Sequence, residues 1–112
     1  MATRGDGLVG FADLRAVEVA SPVPAVSGAE LVRLHVQPHM QRAGVGRSLL
    51  TQAERLASSR GLRSLWLTAW DGNAGALVFY RRMGYADRGE TSHCFGGNSV
   101  GNRVLAKPLP TG

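Results

Sequence analysis

The chain has 112 residues, of which 44% are hydrophobic and 19% charged, and it carries a formal net charge of +5. This length and balance fit one globular domain with a modest core and exclude a disordered chain. No apolar run approaches the roughly 18 to 20 residues of a membrane helix. The start, "MATRGDGLVGF", lacks the apolar stretch of a secretory signal, and the lone Cys94 has no partner for a disulfide or a metal site. A soluble, cytoplasmic protein without a bound metal is the expectation.

In chain order, Gly7 to Ala20 is rich in Val, Leu and Phe and reads as a strand entered through the turn "RGDG". "SPVPAVSG" reads as a loop. "AELVRLHVQP" alternates, with Leu31, Arg33, His35 and Gln37 on one side and Val32, Leu34 and Val36 on the other, and Pro38 ends it. From Val45 to about Arg60 the period lengthens: Val45, Leu49, Ala53, Leu56 and Ala57 form an amphipathic helical face, with Gly61 at the C-cap. "LRSLWLTAW" is nearly continuous and apolar, as in a strand buried on both faces. Strand, helix and strand over this length make a βαβ unit with parallel strands and a right-handed crossover. A second helix is expected from about Ala74 to Met83, stopped by Gly84. Two final strands, "GYADRGETSHCF" and "NRVLAKPL", flank the glycine-rich turn "GGNSVGN". There is no internal repeat and no linker.

The chemistry concentrates in "QRAGVGRSLL", Gln41 to Leu50, where Gly44 and Gly46 fall between a strand end and a helix start. The free N–H groups of a first helical turn, with the positive end of the helix dipole, can hold a phosphate there, and Arg42 and Arg47 add charge. A P-loop is excluded because its Gly-Lys-Ser/Thr has no lysine here. The dinucleotide fingerprint G-x-G-x-x-G fails at Leu49, and its ribose-binding acid is missing. A plain strand-to-helix turn is the structural alternative. Nucleic acid is not the expected partner, because the arginines are scattered and no basic run exceeds Arg81-Arg82.

Gln41-x-x-Gly44-x-Gly46 resembles the Q/R-x-x-G-x-G/A motif of the GNAT acetyltransferases. A second signature of that family follows in order: Asn73, Ala76 and "FYRRMGY" from Phe79 to Tyr85. The resemblance extends over about residues 7 to 109. It implies the GNAT-like acyl-CoA N-acyltransferase fold, an α/β arrangement with a central twisted mixed sheet and two recognisable helices. It further implies an enzyme that transfers the acetyl group of acetyl-coenzyme A (acetyl-CoA) directly to a primary amine of a small molecule or peptide.

By that resemblance the strand segment Leu34, His35 and Val36 bonds the pantetheine arm and the acetyl carbonyl through its backbone. Gln41, Arg42, Ala43, Gly44, Val45, Gly46, Arg47 and Ser48 hold the pyrophosphate. Asn73 bonds the pantetheine side of the cofactor, and it is equally suited to cap the second helix. Tyr80 is the implied acid that protonates the departing thiolate; the alternative is an ordinary packed aromatic. Phe79 and Tyr80 lie about 100° apart on a helix, so Phe79 can enter the core while Tyr80 faces the cofactor. Glu30, at the offset of the catalytic glutamate of the histone-acetylating branch, is the implied base. His35 and His93 are the fallback bases, and Cys94 reads as a small buried residue.

The family pattern ordinarily begins with a further strand and two helices. The expectation is therefore a single GNAT domain over residues 1–112, shortened at its N-terminus. Three readings stay open for it: a site completed by a second subunit, a truncated product, or an acyl-CoA-binding remnant without turnover. Exposed sheet surface at the shortened edge favours a homodimer. The tail "GETSHCFGG" to "NRVLAKPL" resembles the small-molecule and polyamine-acetylating branches, while peptide amines and antibiotics stay open as acceptors.

Overall fold

Two long apolar-rich stretches between Gly7 and Val36 fold back on one another and begin a six-stranded sheet in the computed structural model. The structure describes residues 2–4, 7–23, 26–36, 44–95 and 98–110; for residues 2–4, 7–9 and 92–95 and 98–100 it describes the backbone alone. The elements in chain order are β1 (Ala2–Arg4), β2 (Gly7–Ala20), β3 (Ser27–Val36), α1 (Val45–Ser59), β4 (Ser64–Trp70), α2 (Ala74–Arg82), β5 (Ala86–Phe95) and β6 (Asn98–Pro108). The strands lie in the order β1-β2-β3-β4-β6-β5. The β3–β4 pair is parallel, as expected of strands joined through a helix, and the other neighbours are antiparallel. The expected mixed α/β sheet with two helices is thus present.

Helix α1 ends as its sequence implies. The N–H of Gly61 donates to the carbonyl of Ser58 at 3.0 Å, and that of Leu62 donates to Ala57 at 3.1 Å. These two bonds with Gly61 at φ 82° make a Schellman stop. The buried face of α1 is Leu49, Leu50, Ala53 and Ala57. Leu50 belongs to this stripe, whereas Leu56, expected in it, sits at its rim and is 44% exposed.

Both helices serve one face of the sheet. Ala29 and Leu31 of β3, Leu65 and Leu67 of β4 and Leu105 of β6 pack against Leu50, Ala53 and Ala57 of α1, with Leu77, Phe79 and Tyr80 from α2 and Met83 at its C-cap. Each fully buried leucine of this set contributes about 1.5–3 kcal/mol relative to exposure. On the opposite face Trp66 and Val104 lie under Val26, and the Trp66 indole donates to the Val19 carbonyl at 2.9 Å.

Three expectations change. Strand β1 precedes the "RGDG" turn and pairs with β2. Strand β6 begins at Asn98, so most of "GGNSVGN" is strand: the ladder runs from Ala86–Ala106 to Phe95–Asn98 and overrides the weak strand preference of glycine. Strand β4 is buried on both faces only from Leu65 to Leu67, with Thr68 and Trp70 exposed. Among the described residues no helix is long and apolar enough to cross a membrane.

Candidate active site

The parallel strands β3 and β4 share two register pairs, Ala29–Leu65 and Glu30–Trp66. Beyond them the strands part. The gap is a cleft of about 260 Å³ lined by residues 31–34 of β3, 67–70 of β4, and Asn73, Ala76 and Tyr80. Parted strands leave backbone N–H and C=O groups along the gap that need partners, so the cleft has the chemistry to accept an extended polar chain.

A bulge shapes its β3 wall. Pairing with β2 passes from Asp13–Arg33 to Leu14–Leu31, and Val32 has no register partner there. The extra residue reverses the alternation. Leu31 and Leu34 therefore both pack on the helix side. The expected grouping of Leu31 with Arg33 and His35 does not hold. Arg33 and His35 instead gather around Phe11, with the rings of Phe11 and His35 5.6 Å apart and the Arg33 guanidinium 5.9 Å from the Phe11 centroid. Of the three residues implied for the pantetheine arm, Leu34 lines the cleft, while His35 and Val36 continue β3 beyond it.

At the far end of β3 stands the N-terminus of α1. Gly44 is its N-cap at φ 79° and ψ 9°, a left-handed conformation, and among the described residues no side chain caps the turn. A Cβ at Gly44 would meet nothing within 4 Å, so backbone conformation and not space calls for glycine. The N–H groups of Val45, Gly46 and Arg47 have no acceptor within the helix, and the first turn holds no acid. Ser48 is satisfied, its N–H donating to Gly44 at 3.0 Å. Gly46 lies beside Val36 and Phe79, with space for a Cβ at 3.5 and 3.6 Å from them. The turn thus abuts both β3 and α2. Gln41, Arg42 and Ala43 lie outside the described residues.

Asn73 caps α2: its Oδ1 accepts from the N–H of Ala76 at 3.1 Å while the residue lines the cleft. Tyr80 stands two turns on. Its ring packs edgewise on Phe79 at 5.2 Å and on Tyr85 at 5.9 Å. Among the described residues its hydroxyl has no hydrogen-bond partner. Burial pushes the phenol above the ordinary value of 10.0, so the group is a protonated donor throughout the physiological range.

Glu30 occupies the last paired position before the cleft, its carboxylate 3.9 Å from Arg15 and its side chain 23% exposed. The side chains of His93 and Cys94 lie outside the described set. Sequence reasoning missed Trp70 and Thr68 as cleft walls, and the ion pair of Asp87 with Arg103. Arg103 donates to both Asp87 oxygens at 2.9 Å, with Arg81 of α2 at 3.6 Å, tying β5, β6 and α2 together.

Parallel strands that part around a tyrosine-lined cleft, with a helix N-terminus beyond the end of β3, define the acyl-CoA N-acyltransferase fold. The chain belongs to the acetyltransferase (GNAT) family, whose model matches residues 1–85. It is 37% identical over 78 residues to streptothricin acetyltransferase of Streptomyces lavendulae, covering 69% of this chain and 41% of that protein. It is likewise 37% identical over 57 residues to the ribosomal protein bS18-alanine N-acetyltransferase of Escherichia coli K12, covering 51% of this chain and 38% of the relative. The chain thus spans about two fifths of the length of these curated relatives. The crystal structure of nourseothricin acetyltransferase superposes with a TM-score of 0.75 at 26% identity, over 96% of this chain and 62% of the other.

Proposed function

We propose that this chain is an N-acetyltransferase that moves the acetyl group of acetyl-CoA to a primary amine of a small molecule or peptide. The observation that carries this reading is the cleft between β3 and β4, lined by the protonated phenol of Tyr80, which has no hydrogen-bond partner among the described residues, with the turn at Gly44 standing beyond the end of β3. The residues present suit the cofactor. The N–H groups of Val45, Gly46 and Arg47 offer donors to a pyrophosphate, and the motif resemblance adds Gln41, Arg42, Ala43 and Ser48 to the residues assigned to it. The parted β3 edge at Leu34 and His35 offers backbone groups to an amide-bearing arm, Val36 continues that strand toward the turn, and Asn73 lines the same cleft.

Acetyl-CoA supplies an activated acyl group as a thioester. Backbone N–H groups along β3 stabilise negative charge developing on the acyl oxygen. Glu30 accepts the proton of the attacking amine, directly or through water. Tyr80 donates its proton to the departing sulfur, a role for which its raised pKa keeps it neutral and protonated. The names of the relatives support two acceptor classes, a streptothricin-type small molecule and a peptide with N-terminal alanine. Residues 1–112 act as one domain in the cytoplasm. Exposed Val17 and Trp70, at 61% and 55%, support association of two copies, to be checked by mass against concentration.

The test is release of free coenzyme A from acetyl-CoA in the presence of streptothricin or an alanine-initiated peptide. Release that depends on one of these amines and slows in Tyr80→Phe is expected. Tight coenzyme A binding without turnover on any amine contradicts the enzymatic reading and leaves an acyl-CoA-binding module.

A further inference from the structure

Behind Tyr80, away from the cleft, the structure builds a polar cluster from three separate elements. Tyr85 is 3% exposed, and its hydroxyl donates to Glu54 Oε2 of α1 at 2.7 Å. Lys107 of β6 donates to both Glu54 oxygens at 3.2 and 3.3 Å and to the Met83 carbonyl, which closes α2, at 2.9 Å. The Glu54 and Lys107 side chains are 14% and 27% exposed. Tyr85 in turn is fastened to Tyr80 twice. Its N–H donates to the Tyr80 carbonyl at 3.0 Å, and its ring meets the Tyr80 ring edge to face at 5.9 Å.

The choice of residues is particular. Lys107 is the one lysine among thirteen Lys and Arg residues. A compact ammonium with three rotatable donors can serve a carboxylate and a carbonyl together. Gly84, at φ 97°, makes the approach feasible: a Cβ there would stand 3.3 Å from Lys107 Cε. An ion pair of this burial is a poor source of stability for its desolvation, so its value lies in what it fixes.

We infer that Glu54, Tyr85 and Lys107 are positioning residues that hold the Tyr80 phenol at the cleft and tie it to the helix carrying the glycine turn. This rests on the reading above that Tyr80 meets the cofactor sulfur. Glu54 lies in the middle of α1, whose first turn is offered to the pyrophosphate. One carboxylate therefore sets the distance between the helix that holds the cofactor and the helix that carries the acid.

The test uses nuclear magnetic resonance with tyrosine labelled at the ζ carbon. The chain has two tyrosines, hence two resonances, assigned with Tyr80→Phe. Coenzyme A is the probe, with its affinity measured by calorimetry. In the native protein coenzyme A is expected to displace the Tyr80 resonance. In Glu54→Gln the affinity is expected to persist while the displacement is lost or the resonance broadens. A Glu54→Gln/Lys107→Met double variant, which leaves no buried charge unpaired, is expected to show the same loss. Either variant binding coenzyme A with the native Tyr80 displacement overturns the positioning role and leaves the role of Tyr80 intact. Coenzyme A binding that leaves the native Tyr80 resonance unmoved overturns both.

Discussion

Leu31 and Leu34 face the same side of the sheet, although three residues of regular strand would set them on opposite sides. The bulge at Val32 between them bends β3 where it parts from β4, and the cleft begins at that point. The geometry of the proposed active site therefore starts with one extra residue in a strand. Each proposed functional group follows from it in space: the first turn of α1 beyond the end of β3, and Tyr80 across the gap on α2.

Gly44 and Gly46 are predicted to differ under substitution. Gly44→Ala forces a side chain into the left-handed region at a cost of about 1–2 kcal/mol and distorts the donors offered to the pyrophosphate. Gly46→Ala adds a methyl at ordinary contact distance from Val36 and Phe79. Thermal melts and acetyl-CoA titration are expected to show a loss in both stability and affinity for Gly44→Ala, and near-native values for Gly46→Ala. Equal effects would contradict the conformational argument.

Tyr80→Phe removes the proton donor and keeps the ring in its contacts with Phe79 and Tyr85. The turnover number is expected to fall by roughly 10²–10⁴-fold, the usual weight of a general acid, with acetyl-CoA affinity unchanged. The sign of the pKa shift sets the pH window. The folded phenol titrates above 10.0, so donation is fully available below that pH and declines only as pH rises through the raised value. A steady-state pH profile that lost activity in the neutral range through Tyr80 would contradict this.

Much of this was legible in the sequence, and the illegible part has a common cause. Helix α1, its stop at Gly61, the second helix and the parallel pair all follow from local periodicity and caps. The bulge at Val32 was not visible, because it is defined by register against Asp13 and Leu14 on another strand. The placing of Leu50 inside and Leu56 at the rim depends on the direction from which the sheet meets α1. Glu54, Tyr85 and Lys107 lie up to 53 residues apart in contact, and no local spacing announces them. Asn73 and Tyr80, which line the cleft, stand out in the sequence because their motif is short and local.

Asn73 is predicted to have two separable duties. Asn73→Ala removes the cap on the Ala76 N–H and is expected to cost about 1 kcal/mol of stability. Asn73→Asp keeps an acceptor for that N–H but places a negative charge on the cleft wall. Its melting temperature is expected to stay near the native value while acetyl-CoA binding weakens. Calorimetry beside thermal denaturation checks the separation, and parallel losses in Asn73→Asp would contradict it.

Asp87 is predicted to support the fold in a defined pH range. The Arg103 hydrogen bonds lead in lowering its pKa below the ordinary 3.8, opposed in part by burial and aided by the Gly89 N–H and Arg81. A depressed carboxylate contributes stability that is present above 3.8 and is lost as pH falls through the folded value. Asp87→Asn is expected to melt below the native protein at pH 7. The two melting curves should converge in strong acid, and a gap that persists there would contradict the assignment.

The central claim is that the turn at Gly44 and the cleft beyond it receive acetyl-CoA. Calorimetric titration of the folded protein with acetyl-CoA, using NAD as the control ligand, tests it most directly. Saturable binding of acetyl-CoA in the micromolar range, at about −8 kcal/mol, with no response to NAD, is the expected result. Folded protein that binds neither ligand would contradict the account, and every role assigned to Tyr80, Glu30 and Asn73 would fall with it.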